Sequence, residues 1–506
     1  MNVTTGDALT AETNLDCDVV VVGSGAGGAT VAAELAEGGL DVIVMEEGGY
    51  HPTSSFQTGM GHALRTLYRD GGAEAAIGTP PILFSQGRCI GGSTVVNGGM
   101  SFRTPERILD RWAIEDPTLG FTPQTLAPYF AKAERRLHVA LQDPETVGRD
   151  SELLKAGADA MGWRIIANTR NQVHCAGSNN CTLGCPTGAK QSMLLTALPR
   201  AVNHGARVFA DCRVDRVLHS GRSVTGVAGR VLRPDGRHGP RLRVRAKVVV
   251  VSGGAVQTPA LLMRSGIRSV SGQLGRNLTM HPNAKVVAVF DEPVRGWEGV
   301  HQAYQVREFM DEGILITAVN LPPSMVALGQ PEHGAALGAV MRDYDRMVTA
   351  GCLVEDTGSG VVRNIPGLGA QVFYQVSERD AQRVVRGLAL SAQLLFAAGA
   401  TRVLSPIRGM PELRRPGDVA MLASARVPRE RLDLFTVHLM GTARMSEDPK
   451  RGVVSSFGEF HGARGLFVAD ASVLPGPVGL NPMETIVALV TRNARWLLDN
   501  RARYGI

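Results

Sequence analysis

The stretch CDVVVVGSGAGGATVAAELAEGGLDVIVMEEG, residues 17–48, decides the fold of this chain. Its β-branched run at residues 19–22 is typical of a strand that is buried on both faces. A GxGxxG pattern follows at once, and residues 29–36 then predict a helix. Residues 41–45 predict a second buried strand that ends at Glu46. Strand, glycines, helix, strand and terminal acid together form one βαβ unit.

Each glycine of this unit has a physical task. Gly23 permits a tight turn, Gly25 lets a pyrophosphate approach the backbone, and Gly28 lets the helix pack closely on the strand. The helix N-terminus offers unpaired N–H groups to phosphates, with Ser24 in the same turn. Glu46, roughly 20 residues on, can accept the ribose hydroxyls. We therefore predict a dinucleotide site here, and a plain βαβ core is the alternative.

The composition predicts a soluble globular protein of more than one domain. The chain has 506 residues, of which 44% are apolar and 20% are charged, and one hydrophobic core does not serve that length. The net charge of +6 is mild for this size and argues against a nucleic-acid partner. Arginines between residues 230 and 245 flank Pro234, Asp235 and Gly236, which predicts a solvated hairpin.

The sequence gives no sign of a membrane span or a secretory signal. Its apolar runs stay below the roughly 18 residues that a span needs, and the first 16 residues lack a basic start and an apolar core. Seven cysteines do not form a disulfide pattern. We expect a cytoplasmic protein, and peripheral association with a membrane stays an alternative.

A second glycine-rich stretch, QGRCIGGSTVVNGGMSFR, occupies residues 86–103. Glycines this close together are unfavourable in a helix or a strand. A flexible surface loop is one interpretation, but Ile90, Val95 and Val96 would be poorly placed in it. We therefore predict a buried glycine loop that folds over a ligand.

These residues resemble a known enzyme family. GRCIGGSTVVNGG at residues 87–99 and GAVQTPALLMRSGI at residues 254–267 are similar to the two signatures of the glucose–methanol–choline oxidoreductases, which bind FAD. GRNLTMHP at residues 275–282 and the stretch from Phe467 to Leu489 are also family-like. Ser101 and Arg268 depart from the usual residues. The resemblance extends over about residues 17–500.

The resemblance implies an α/β protein, α+β overall, with a Rossmann-type FAD-binding domain and a substrate domain built on a mostly antiparallel sheet. We expect the FAD domain at residues 1–112, 186–283 and 431–506, and the substrate domain at 113–185 and 284–430. Val96 replaces the histidine to which some relatives attach the flavin, so FAD should be non-covalent. The further residues that the resemblance assigns to FAD are Gly92, Ser93, Asn97, Gly98, Val214, Gly253, Asp470, Asn481 and Pro482.

Two residues match the catalytic positions of the family. His438 lies in FTVHLMGTARM and Asn481 in GLNPME. An alcohol must lose a hydride and a proton, so its hydroxyl needs a base or a hydrogen-bonding partner. A histidine suits this because its pKa lies near neutral pH, and an amide can both donate and accept. The alternatives are a structural histidine and an asparagine that caps the helix expected at Pro482.

The cysteines at 175, 181 and 185 form a C-x5-C-x3-C pattern in HCAGSNNCTLGCPTGAK. This loop resembles that of FAD glucose dehydrogenases whose three cysteines hold a [3Fe-4S] cluster, and thiolates are the usual ligands of such clusters. A zinc site, a disulfide with one spare thiol, and a metal-free loop are the alternatives. Long-chain alcohol oxidases also have a cysteine-rich loop near this point.

The resemblance implies FAD-dependent oxidation of an alcohol to an aldehyde or ketone, with hydride transfer to flavin N5. The match around His438 and Asn481 is to long-chain and sterol-type alcohol oxidases, which favours an apolar alcohol. One alternative is a sugar or polyol dehydrogenase that passes electrons through the cluster to a carrier protein or a quinone instead of oxygen. A flavin lyase or photodecarboxylase is an alternative of another class.

Overall fold

The computed structural model describes residues 1–233, 235–330 and 332–506. Within them the strands are β1 (Thr13–Val22), β2 (Val42–Met45), β3 (Glu74–Ala76), β4 (Ile82–Phe84), β5 (Val139–Leu141), β6 (Ile165–Ala167), β7 (Thr169–Asn171), β8 (Arg207–Phe209), β9 (Cys212–Ser220), β10 (Ser223–Leu232), β11 (His238–Val251), β12 (Asn283–Val289), β13 (Tyr304–Val306), β14 (Ile314–Ala318), β15 (Met347–Val354), β16 (Val361–Ile365), β17 (Gly369–Phe373), β18 (Arg402–Leu404), β19 (Leu434–Thr436) and β20 (Leu466–Val468).

The α-helices of the same residues alternate with these strands. They are α1 (Ala26–Glu37), α2 (Met60–Thr66), α3 (Ser93–Val96), α4 (Glu106–Glu115), α5 (Pro123–Leu137), α6 (Arg149–Ala160), α7 (Ala197–Asn203), α8 (Gly254–Arg264), α9 (Pro323–Leu328), α10 (Gly334–Met341), α11 (Glu378–Ala397), α12 (Val419–Ser424) and α13 (Met483–Asp499).

The first sheet has the order β8-β2-β1-β11-β10-β9, and β20 pairs with β11. β1 lies parallel to both β2 and β11, with Val19–Val22 in register with residues 42–45 and 248–251. These residues are apolar on both faces because helices cover the sheet, as a parallel sheet requires. The predicted strand, helix and second strand at residues 19–46 are confirmed.

The second sheet has the order β3-β4-β19-β12-β15-β14-β13-β6, and β18 pairs with β12. All its pairs are antiparallel except β4 with β19. Helix α11 packs against β15 and β12 and buries its apolar stripe, which includes Val384, Leu388 and Leu395. The predicted fold, a Rossmann-type sheet with a second, mostly antiparallel sheet, is confirmed.

The two sheets have separate hydrophobic cores. The five-segment domain division stays a prediction, and the sheets add one detail to it. β3 and β4, which precede residue 112, and β19, which follows residue 431, pair within the second sheet rather than the first. The segments predicted for the FAD domain therefore also contribute strands to the second sheet.

The arginine-rich hairpin is formed by β10 and β11, which pair antiparallel. Pro234 of its expected turn lies outside the described residues.

Helix α11 has 20 residues, yet within residues 1–233, 235–330 and 332–506 no helix combines the length and apolarity needed to cross a membrane.

Candidate functional site

The turn after β1 brings backbone atoms too close together for any side chain. Gly23 has φ +99°, and a Cβ on Gly28 would lie 2.0 Å from the carbonyl oxygen of Gly23. A Cβ on Gly27 would lie 1.7 Å from the carbonyl oxygen of Ala469. Glycine is therefore required for α1 to pack against the end of β1, as the GxGxxG pattern predicts.

The carboxylate of Glu46 connects this turn to the second glycine stretch. Its Oε2 accepts hydrogen bonds from the backbone N–H (2.9 Å) and the Oγ–H (2.7 Å) of Ser24, and its Oε1 accepts one from Gly48 N–H (2.9 Å). The Ser24 hydroxyl oxygen in turn accepts a hydrogen bond from Gly91 N–H at 2.9 Å. Burial raises the pKa of Glu46. The chain itself thus occupies three of the roughly four acceptor positions of this carboxylate.

The neighbouring acid, Glu47, is held differently. It forms ion pairs with Arg69 at 2.8 Å and Arg88 at 3.4 Å. Since two guanidiniums engage Glu47, Glu46 remains the better candidate for the ribose, with about one acceptor position left. The ribose assignment stays a prediction.

The glycine loop lies directly against the nucleotide turn. Gly92 has φ +54°, and a Cβ there would lie 2.8 Å from the Cα of Gly25. The Ser93 hydroxyl closes the loop by accepting from Gly87 N–H at 3.0 Å. A Cβ on Gly98 would lie 2.5 Å from Gln302 Oε1. The predicted buried loop is therefore present, and it brings Gly92 and Ser93 together with the GxGxxG turn.

Asn97 joins the glycine loop to the N-terminus of α13. Its Nδ2 donates to Met483 Sδ at 3.1 Å, and its Oδ1 accepts from Gly99 N–H at 3.1 Å. Pro482 occupies the N-cap of α13, so the interpretation of Asn481 as the helix cap is wrong. The predicted residues Asn97 and Pro482 thus lie on adjoining segments.

Three other predicted FAD residues support the first sheet and the start of α8. Asp470 accepts from Gly254 N–H at 2.9 Å and from Ser472 N–H at 2.8 Å. Gly253 donates its N–H to Thr258 at 2.9 Å, next to Gly23. Val214 is buried in β9, and Cys212 N–H of that strand donates to the carbonyl of Glu46 at 2.7 Å. Their predicted contacts with FAD remain predictions.

His438 and Asn481 come together, although 43 residues separate them in sequence. Asn481 Nδ2 lies 3.3 Å from His438 Nε2. The other end of the amide, Oδ1, is buried without a hydrogen-bond partner. A buried polar atom without a partner is costly, so one end of this amide is available to a substrate or cofactor. The predicted catalytic pair is therefore adjacent.

The sequence reasoning missed His281, which lies inside the family-like stretch GRNLTMHP. Its Nδ1 lies 3.3 Å from His438 Nδ1, and its Nε2 accepts from Gly479 N–H at 3.0 Å. The two rings meet edge to face at 88°. This contact depends on the distance between residues 275–282 and the stretch around His438 in the folded chain. A sequence does not show that distance.

Both histidines are kept neutral by their surroundings. Burial lowers the pKa of His438 to about 4. Burial, and then the neighbouring His438 and Arg111, lowers the pKa of His281 well below its ordinary value. Desolvation disfavours the charged form of an imidazole, so neither ring carries a charge near neutral pH.

The three cysteines of the C-x5-C-x3-C pattern line one small cavity together with Arg170 and Lys190. Cys181 Sγ accepts from Arg170 at 3.3 Å, and Cys185 Sγ lies 3.3 Å from Thr187 Oγ1. Among the described residues, no group of three or more His, Cys, Asp or Glu side chains is arranged to hold a metal ion. The donor set at Cys175, Cys181 and Cys185 therefore does not fit the predicted cluster.

The cysteine loop is nevertheless attached to the glycine loop. Lys190 is buried and donates from Nζ to the carbonyls of Val95 (2.6 Å) and Asn97 (2.8 Å), and it also donates to the carbonyl of Cys181. Burial lowers the pKa of Lys190 to about 8. One ammonium thus fixes two loops to each other.

Glu484, in the first turn of α13, is a further buried acid beside the site. It is 1% exposed, and both carboxyl oxygens lack a hydrogen-bond partner. Burial, followed by repulsion from Glu134, raises its pKa to about 8. This carboxyl group is therefore largely protonated at neutral pH.

The chain matches known proteins over nearly its whole length. Residues 64–283 and 369–489 match the GMC oxidoreductase family, and residues 18–75 match an FAD binding domain. An uncharacterized GMC-type oxidoreductase of Sinorhizobium fredii is 37% identical over 500 residues, 98% of each chain. A long-chain-alcohol oxidase of Arabidopsis thaliana is 28% identical, over 94% of this chain and 67% of the relative.

Solved structures show the same fold. Pyridoxine 4-oxidase from Mesorbium loti has a TM-score of 0.72 at 21% identity, covering 95% of this chain and 99% of that one. A variant of the formate oxidase of Aspergillus oryzae, studied for FAD modification, has a TM-score of 0.69 at 18% identity, with 97% and 100% covered.

The residues described above fit FAD. A Cβ on Gly92 would lie 2.8 Å from the Cα of Gly25, so the glycine loop meets the turn without a side chain, as a close approach to a pyrophosphate requires, and the unpartnered Asn481 Oδ1 stands at the start of α13. With both parts of the family matched and a relative 37% identical along its length, the chain belongs to the GMC oxidoreductases and is an FAD-dependent oxidoreductase.

Proposed function

We propose that this protein oxidises the hydroxyl-bearing carbon of a largely apolar, long-chain or sterol-like alcohol to an aldehyde or ketone, with oxygen as the final electron acceptor. The observation that carries the proposal is the His438–Asn481 pair, 3.3 Å apart and joined to the glycine loop through the contact of Asn97 with Met483. FAD, when bound, supplies the acceptor for the hydride that leaves the substrate carbon.

The residues of this chain have separate tasks in the proposed reaction. His438 Nε2 and the free end of the Asn481 amide hold the substrate hydroxyl oxygen, with His438 as its base or its hydrogen-bonding partner. The N-terminus of α13 gives this corner a partial positive charge, which favours anionic oxygen. Fixing the hydroxyl between two groups aligns the C–H bond for hydride loss.

Support for an apolar substrate comes from the residues beside Asn481. Leu480 forms a buried apolar cluster with Leu315 and Leu353, and partly buried Phe102 and Met310 pack against it. The similarity to long-chain-alcohol oxidases points the same way. Apolar surface near the hydroxyl-binding groups favours substrates with long or fused hydrocarbon portions.

The test is anaerobic bleaching of the flavin absorbance. A primary alcohol with a long chain, a sterol, glucose and a polyol are added separately, and oxygen is then readmitted while hydrogen peroxide is measured. We expect the apolar alcohols to bleach the flavin fastest and peroxide to form on reoxidation. Bleaching by no alcohol would contradict the proposal and would favour the flavin lyase or photodecarboxylase class.

The sugar or polyol dehydrogenase with an iron–sulfur cluster has less support. Its cysteines line one cavity, but they do not form a ligand set among the described residues. Iron analysis of protein prepared without oxygen tests it directly. About three irons per chain, with fast bleaching by glucose and slow reoxidation by oxygen, would favour this alternative.

A further inference from the structure

Two imidazole rings connect a backbone amide to the catalytic asparagine in one line of contacts. Gly479 N–H donates to His281 Nε2 at 3.0 Å. His281 Nδ1 lies 3.3 Å from His438 Nδ1, and His438 Nε2 lies 3.3 Å from the Asn481 amide. Every ring nitrogen of the two histidines therefore faces one polar partner.

The backbone amide determines where the proton of His281 lies. An amide N–H can only donate, so His281 Nε2 must present its lone pair to Gly479. A neutral imidazole carries one N–H, and the environment of His281 keeps it neutral. The proton of His281 therefore lies on Nδ1, which faces His438.

The same reasoning fixes the proton of His438. The two facing Nδ1 atoms share one hydrogen bond, and His281 supplies its proton, so His438 Nδ1 accepts it. Neutral His438 then carries its proton on Nε2. The reverse arrangement would place a proton on His281 Nε2 facing the N–H of Gly479, two donors 3.0 Å apart.

The hydrogen bonding of Asn481 agrees with this assignment once the two ends of its amide are assigned from its partners. An N–H on His438 Nε2 needs an acceptor, and Oδ1 of Asn481 is buried without a partner. The two ends of an amide have the same shape, and their hydrogen bonds decide which is which. Turning the amide places Oδ1 opposite His438 Nε2 and leaves Nδ2 as the free end that faces a substrate or cofactor.

We propose that His281 is a positioning residue that fixes the proton of His438 on Nε2. His438 then donates a hydrogen bond to the substrate hydroxyl oxygen in place of Asn481 Oδ1, and the hydroxyl proton passes to water as the hydride leaves the carbon. The inference rests on the proposed function for the identity of that substrate. It selects between the two roles left open for His438, since a ring nitrogen that already carries a proton is not the base for the hydroxyl.

The structure holds His281 firmly in the required orientation. Its backbone lies in the left-handed region, with φ +45°, and its N–H donates to Asp356 Oδ1 at 3.1 Å. Asp356 Oδ2 accepts from Met280 N–H at 2.9 Å and from Tyr374 OH at 2.7 Å. His281 is fully buried, so the ring cannot turn to exchange its nitrogens without repacking its surroundings.

The decisive measurement is nitrogen NMR of FAD-loaded protein with 15N-labelled histidine rings at neutral pH, without substrate. Signals of the two residues are assigned by their loss in His438→Gln and His281→Asn. We expect opposite tautomers, with the proton on Nδ1 of His281 and on Nε2 of His438. A proton on Nδ1 of His438, or the same tautomer in both rings, would overturn the inference.

The His281→Asn variant tests the consequence for the reaction. Asparagine tolerates a positive φ, so the backbone conformation is retained. We expect FAD content like that of the original protein, a mixed His438 tautomer, and a limiting rate of flavin reduction lower by at least about tenfold, since a misplaced imidazole proton is costly in catalysis. Unchanged reduction with FAD bound would overturn the positioning role.

A matched control separates positioning from general loss of structure. Tyr374→Phe removes the hydrogen bond to Asp356 beneath the same segment but contacts neither ring. It should lower thermal stability and leave both tautomers as they are, because Gly479 and both rings keep their contacts. A His438 tautomer that changes while that of His281 does not would overturn the assignment to His281. The tautomers are measured without substrate. A failure of every alcohol to reduce the flavin would therefore contradict the proposed function and leave the inference about His281 unaffected.

Discussion

The nucleotide turn and the histidine site are built in different ways. The turn lies within one unit of the chain, in which Ser24 and Glu46 are 22 residues apart, and it depends on missing side chains at Gly23 and Gly28. The histidine site joins His438 to His281 across 157 residues. In contrast to the turn, this site depends on hydrogen bonds that its side chains make.

This difference determines which kind of substitution damages each region. A binding turn made of close backbone contacts fails when volume is added, because the backbone cannot move away. A site made of hydrogen-bonded rings fails when one donor or acceptor is removed, because its partners stay buried and unpaired. The following substitutions test this contrast, from the largest expected effect to the smallest.

Removing the ring at the centre of the histidine site should have the largest effect. His438→Ala is expected to retain FAD and to lose flavin reduction by about 100- to 10,000-fold, whether the ring acts as a base or as a donor. Anaerobic stopped-flow reduction measures the rate. His204→Ala, at an exposed histidine just after α7, is the control, and normal reduction by the His438 variant would refute the assignment.

Removing the acid of the nucleotide unit should weaken binding rather than chemistry. Hydrogen bonds to charged groups contribute about 1.5–3 kcal/mol, so Glu46→Ala should weaken FAD binding by about 10- to 150-fold. Its loss also leaves the N–H groups of Ser24 and Gly48 unpaired. Titration of the apoprotein with FAD measures the affinity. If Glu47→Ala weakens binding instead, the ribose assignment moves to Glu47.

Adding one methyl group to the turn should destabilise the fold. Gly28→Ala places a Cβ 2.0 Å from the carbonyl oxygen of Gly23, and overpacking of this kind costs about 1–3 kcal/mol. Thermal unfolding with and without FAD measures it. Gly338→Ala in α10 meets no atom within 4 Å and should be neutral or slightly stabilising. Equal effects of the two variants would contradict the close-packing argument.

The smallest effect concerns the acid beside the histidine site. The pKa of Glu484 is raised from 4.5 to about 8 in the folded chain, so folding favours its protonated form. The stabilisation of the folded state by this protonated carboxyl is present at low pH and is lost as pH rises from about 4.5 to about 8. Glu484→Gln keeps the shape without the charge, and it should be more stable than the original protein at pH 8.

The pH dependence supplies the control for that substitution. The advantage of Glu484→Gln should shrink toward pH 5, where the original carboxyl is protonated as well. Glu106→Gln, at an exposed acid at the start of α4, should show no such change with pH. An equal difference in stability between Glu484→Gln and the original protein at pH 8 and at pH 5 would refute the buried, protonated state of Glu484.

The nucleotide unit could be predicted because its physics is local. Buried strands, glycine spacing and a terminal acid all lie within residues 17–48, so a pattern in one short stretch specifies them. His281 could not be predicted, since its role arises from Gly479 and His438, which reach it only through the folding of two sheets. The cysteine spacing predicted a ligand set, but the three cysteines, although they line one cavity, form no metal-holding group among the described residues.

The predicted catalytic pair also joins elements of the two hydrophobic cores. His438 follows β19 of the second sheet, whereas Asn481 precedes α13, which packs against α1 in the first core. Their 3.3 Å contact thus links a residue that follows the second sheet to one that precedes a helix of the first core. Because this distance is near the limit of a hydrogen bond, a shift of about one ångström between the two cores would break it, so the predicted catalytic pair depends on how the two cores pack.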